Sequence, residues 1–89
     1  MATHILWQAD VADFDAWHAV FDRDAPARKA AGLKTLHVWQ DADVANHAFV
    51  LFQVLDLDRA KAFFDSEELA MHLERDGIAH IATKMLKPA

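Results

Sequence analysis

The chain contains no cysteine, so neither a disulfide framework nor thiol chemistry is available to it. Glycine occurs only twice, as Gly32 and Gly77. Both fall where a helical pattern stops, and neither opens a phosphate-cradling loop. Apolar runs stay well short of the roughly 18 residues that a membrane helix requires, so a membrane role is not expected. The opening MATHILWQAD has no charged stretch leading into an apolar one, and it is not read as a secretory signal. A cytoplasmic location is the expectation. Basic residues are scattered and outnumbered, 9 Lys and Arg against 14 Asp and Glu, for a formal net charge of −5. Nucleic acid, which wants a basic patch, is not an expected partner. Six histidines occur, but no H-x-H or H-x-x-x-H pair, so a helical metal site lacks its i, i+4 ligands. Neither a metal nor another cofactor is expected. The short acidic DRD and DAD stretches have no calcium-ligand loop after them and read as caps or turns.

Apolar residues, by contrast, are abundant, at 54% of an 89-residue chain. The length fits one domain spanning residues 1–89. A chain of this size buries about 60–65% of the surface its unfolded form exposes, enough for one two-layer core. The surplus of apolar surface points to an oligomer.

His4 to Val11 alternates as a strand. Phe14, Trp17, His18 and Phe21 then follow at i, i+3, i+4 and i+7, one face of a helix, with Asp13 as N-cap. Pro26 cannot join the helical ladder. The helix is therefore expected to break near Arg23–Asp24, with Asp24 capping a second piece that Gly32 ends. Leu33 to Gln40 reads as a strand, DADVAN as a hairpin loop, and His47 to Leu55 as the third strand. Asp56 or Asp58 starts the next helix. Asp65 or Ser66 restarts it, with Glu67 and Glu68 favoured by the helix dipole, and Gly77 ends it. His80 to Lys87 is the last strand. Arg28 and Lys29 read as cations that oppose a helix C-terminus.

The order β-α-β-β-α-β defines an α+β, ferredoxin-like fold, with both helices on one face of a four-stranded antiparallel sheet. The third strand, HAFVLFQVL, is mostly apolar on both of its faces. One face packs under the helices. An uncovered antiparallel face would be polar, so the other face is expected against a second, identical chain.

DFDAWHAVFD, APARKAAGLKTLHVWQDAD and DRAKAFFDSEEL, set in this order over nearly the whole chain, resemble the dimeric α/β-barrel superfamily. The resemblance is to its small cyclase-like and antibiotic-biosynthesis-monooxygenase-like members. It implies a homodimer whose sheets face each other as a dimeric α/β barrel, each subunit keeping a pocket between helices and sheet. Members include cofactor-free monooxygenases, polyketide cyclases, lactone isomerases, chlorite-handling haem enzymes and haem-degrading enzymes. The haem-degrading members are similar at His72. Where they carry a first-strand asparagine and a third-strand tryptophan, this chain has Gln8 on the first strand and no tryptophan on the third, which argues against haem degradation.

His18 and His72 each stand on the apolar stripe of a helix, and each needs a partner or a cavity there. His37 and Trp39 share a strand parity. The expected site is an elongated apolar cavity walled by Trp17, Phe64 and residues of the second and third strands, such as His37, Trp39 or Phe52, with His18 or His72 reaching it. Trp17, Trp39, Phe52 and Phe64 are the candidate ligand-binding residues. His18, His72 and His37 are the candidate general bases, since an imidazole suits proton transfer at neutral pH. The expected function is to bind an apolar or aromatic small molecule, with cofactor-free oxygenase or polyketide-cyclase-like chemistry. The alternative is a non-catalytic binding or stress-related structural dimer.

Overall fold

The structure, a computed structural model, describes residues 3–89. The elements run β1 (Thr3–Asp10), α1 (Phe14–Arg23), α2 (Ala25–Ala30), β2 (Leu33–Gln40), β3 (His47–Val54), α3 (Leu57–Phe64), α4 (Glu67–Arg75) and β4 (Ala79–Leu86). The strands form one four-stranded sheet in the order β2-β3-β1-β4, and every pairing is antiparallel. This is the ferredoxin-like α+β fold, with each of its two helices broken in two. Strand ends differ from the periodicity by a residue: Val11 is buried just beyond β1, and Leu55, beyond β3, is exposed.

Local chemistry sets the breaks. Asp13 accepts a hydrogen bond from the Ala16 amide at 3.0 Å and starts α1. Asp56, rather than Asp58, caps α3 through the Arg59 amide, and Ser66, rather than Asp65, caps α4 through the Leu69 amide. Asp24 stands at the N-cap position of α2 but makes no capping bond with its side chain. Its backbone is committed to closing α1, with its amide donating to Val20 and Phe21. Its φ of −88° and ψ of 6° lie outside the extended region that N-caps use. Gly32 ends α2 at φ 75°, and its carbonyl accepts from the Leu55 amide at 2.7 Å. A Cβ here would stand 2.7 Å from that of Asp56, so the position needs glycine for space as well as conformation. In the β2–β3 hairpin, Asp41 accepts from the amides of Asp43 and Val44. These bonds hold its carboxyl below the ordinary value of 3.8.

The core lies between sheet and helices. Ile5, Trp7 and Ala9 of β1 meet Ala48, Val50 and Phe52 of β3, with Leu33, Ala31 and Ala60 closing over them. Neither α1 nor α4 has a fully buried residue. These two helices lean on the sheet through large half-buried side chains, Phe14, Trp17 and Phe21 on α1 among them. Among the described residues no helix or strand covers the other face of the sheet. β4 is exposed along its whole length.

Two bulges set which side chains face which way. On β2, Thr35 pairs with Phe52 but His37 pairs with Leu51, so Leu36 is an extra residue. An extra residue reverses the alternation of everything after it. His37 and Trp39 therefore stand on the open face, away from the helix-side cavity they were expected to wall. On β4 the pairing with β1 shifts between Gln8 and Asp10, beside His80, whose φ of 53° is left-handed.

Candidate functional site

A cavity of about 480 Å³ lies between the sheet and the helices. Each element around it contributes a ring or a short apolar chain: Trp7 from β1, Phe52 from β3, Trp17 and Phe21 from α1, Phe64 from α3, Leu69 and Leu73 from α4. The rings pack in sequence. Trp7 and Trp17 stack nearly parallel at 5.9 Å, Trp17 meets Phe21 at 5.0 Å, Phe21 meets Phe52 at 6.3 Å, and Phe52 meets Phe64 edge-on at 6.1 Å. The hollow follows from the sequence: α1 and α4 meet the sheet side chiefly through rings and leucines, which hold the helix backbones away from it. A second hollow, of about 580 Å³, lies where α4 stands off from the uncovered β4 and shares Trp7, Phe64 and Leu73 with the first.

Of the three candidate bases, only His72 lines the aromatic cavity. Its Nδ1 accepts from Arg75 Nη2 at 2.6 Å. In that arrangement the ring proton sits on Nε2, so the imidazole offers a donor and has no free lone pair. His18 does not reach the cavity. It lies on the flank of α1 with 42% of its side chain exposed, and its Nε2 is 3.7 Å from Asp22. The spacing of 14, 17, 18 and 21 places four residues on one stripe, but a helix stripe is wider than the contact it makes, and His18 falls at its edge. His37 stacks on Trp39 at 4.9 Å on the open face, away from Phe52. Trp17, Phe52 and Phe64 line the cavity; Trp39 is 46% exposed on the far side of the sheet. The β2 bulge accounts for both displacements.

Arg28 is the residue the sequence reading passed over. It is only 7% exposed, it lines the cavity, and its guanidinium lies 3.5 Å from the centroid of the Phe21 ring. Burial pushes its pKa down, and the charges of Asp24 and Asp22 oppose that shift. A signal existed: Arg28 falls seven residues after Phe21, the spacing of one helix face, although the chain breaks at Asp24 between them.

A second cluster sits on the open face. Asp10 Oδ1 lies 2.5 Å from His47 Nδ1, and its Oδ2 lies 2.7 Å from His80 Nδ1. His47 Nε2 lies 3.1 Å from Gln8 Oε1. These histidine contacts, chiefly that of His47, hold the Asp10 carboxyl below its ordinary value of 3.8. The cluster depends on β1 being flanked by β3 and β4, which no local pattern reveals. Gln8 thus faces away from His72. The two cannot close on one group, and the residues present do not fit a haem site of the haem-degrading kind. Among the described residues no group of three or more His, Asp or Glu side chains is arranged so that it could hold a metal ion, and no helix is long and apolar enough to cross a membrane.

An antiparallel β2-β3-β1-β4 sheet with paired helices on one side and a cavity beneath them is a ferredoxin-like α+β architecture. Three crystal structures share this architecture, all of proteins provisionally described as antibiotic biosynthesis monooxygenases. The one from Bordetella bronchiseptica superposes with a TM-score of 0.71 at 14% identity, over 99% of this chain and 97% of that one. The one from Chloroflexus aurantiacus gives 0.68 at 14%, over 100% and 94%. The one from Deinococcus radiodurans gives 0.67 at 12%, over 98% and 92%. At these identities the likeness is one of fold. No family model and no curated protein matches the sequence.

Proposed function

We propose that the chain is a homodimeric α/β-barrel protein that binds an aromatic small molecule in the cavity between helices and sheet and acts on it in the manner of a cofactor-free oxygenase or cyclase. The observation that carries the reading is the cavity. Its volume of about 480 Å³ falls within the usual range for small-molecule sites, and its walls are rings with a few polar groups among them. The dimer is supported by the open sheet face, where Leu6, Phe49, Leu51 and Trp39 stand between polar residues. The free edge of β4 adds to it, with Ile81, Met85 and Leu86 exposed. An uncovered apolar edge strand invites association.

In the catalytic form of this reading His72 is the base. Arg75 must leave Nδ1 before the ring can take a proton from a phenol or carbon acid. Arg75 is 69% exposed, and its Nε also lies 3.8 Å from Asp76 Oδ1. A second reading, a non-catalytic binding or stress-related dimer, is favoured by one observation: with Arg75 in place, His72 offers the cavity no base. Thermal shift with 2-naphthol and larger fused-ring phenols tests binding, and oxygen uptake with each bound phenol tests turnover. The proposal expects a concentration-dependent rise in Tm and a turnover that His72→Phe abolishes. Binding without turnover selects the non-catalytic reading, and no Tm shift with any of them contradicts both.

A further inference from the structure

We propose that the cavity is built for an aromatic carboxylate, with Arg28 as the residue that holds the carboxylate and so sets specificity; this rests on the reading of the cavity as a ligand site. Arg28 is more than nine-tenths buried, and its Nε is shut off from solvent with no hydrogen-bond acceptor. A guanidinium stays protonated at neutral pH, so this is a buried cation. Buried cations are stable when an anion or a full set of acceptors compensates them. Among the described residues no carboxylate forms an ion pair with Arg28. Asp22 and Asp24 are near enough to act on the charge, but Asp22 turns to His18 and Asp24 forms no ion pair among the described residues. The face of Phe21, 3.5 Å away, supports the guanidinium plane, and Arg28 lines the cavity that a ligand would enter.

The rest of the cavity selects the ligand's body. Trp17, Phe21 and Phe52 present ring surfaces that match a flat aromatic system. The planar fork of a guanidinium matches a carboxylate, which it binds through two parallel hydrogen bonds. Asp24, Glu68 and Asp76 also line the cavity. Their negative charge opposes a polyanion such as a phosphate ester more strongly than a singly charged carboxylate on an apolar ring system.

Calorimetric titration with 2-naphthoate and its neutral analogue 2-naphthamide tests the proposal on the intact protein. A charge-assisted pair predicts that the wild type binds the carboxylate at least about tenfold more tightly than the amide. In Arg28→Met the carboxylate falls to the level of the amide, whose own affinity is unchanged, while Arg28→Lys keeps part of the preference. If the wild type binds both equally, or prefers the amide, the cavity reading stands and the role of Arg28 is overturned. If neither binds, the cavity reading falls and takes this proposal with it. A preference that survives in Arg28→Met also overturns it. Should circular dichroism show Arg28→Met unfolded, the wild-type pair and Arg28→Lys decide alone.

Discussion

On one side of β3, Ala48, Val50 and Phe52 are shut away from water. On the other, alternate residues His47, Phe49, Leu51 and Gln53 stay half exposed. The same contrast runs along β1, where Ile5, Trp7 and Ala9 are buried and His4, Leu6, Gln8 and Asp10 are not. The helix side is a ring-lined hollow holding one buried cation. The open side mixes aliphatic and aromatic residues with histidines and the Asp10–His47–His80 cluster. A side that binds a small molecule wants continuous apolar wall with few polar groups. A side that meets a second copy tolerates polar residues, provided they find partners. One sheet can serve both purposes because its side chains alternate.

The largest effect that would sharpen the contrast is expected at Phe52. It is 2% exposed and touches both Phe21 and Phe64. Phe52→Ala should cost about 3–5 kcal/mol in chemical denaturation. A smaller loss would mean that the helix side is not the core. Next comes its neighbour on the other face. Leu51→Asp should leave the circular dichroism spectrum intact and convert a dimer to a monomer by light scattering. The dependence of Tm on protein concentration should vanish with it. Unfolding of this variant, or no change in mass, would break the assignment of the open face to a partner.

His72→Phe is expected to change stability by no more than about 0.5 kcal/mol, since the residue is exposed. The same substitution should weaken binding of a phenol roughly fivefold by removing the Nε2 donor. Unchanged affinity would detach His72 from the site. The smallest effect belongs to the open face. The Asp10 carboxyl is held below 3.8, first by His47 and then by His80. A depressed carboxyl stabilises the fold above its unfolded value and loses that contribution as pH falls through the folded one. Wild-type stability should therefore drop as the pH goes below 3.8, and Asp10→Asn should start lower at neutral pH and drop less. Parallel curves for the two proteins would show that the cluster does not couple to folding.

Much of the fold was legible because local chemistry decided it. Alternation marked the strands. The spacing of Phe14, Trp17 and Phe21 marked α1, and Asp13 and Gly32 marked ends where a carboxylate cap or a left-handed residue was needed. The ring wall of Trp17, Phe52 and Phe64 was legible for the same reason. His37 and Trp39 were misplaced because the bulge at Leu36 depends on how β2 pairs with β3, and alternation carries no information about an inserted residue. Arg28 was read as a helix-end cation because α2 is short and follows a break, which hides its register with Phe21. The Asp10 cluster joins positions 37 and 70 residues apart, and only strand order brings them together.

Backbone amide chemical shifts, followed while 2-naphthol is titrated into the labelled wild-type protein, test most directly whether the helix side is the ligand side. The account predicts saturable shifts at Trp17, Phe21, Phe52, Leu69 and His72, with Leu6, Phe49 and Leu51 unmoved. Shifts concentrated at Leu6, Phe49 and Leu51, or no saturable shift anywhere, would contradict it.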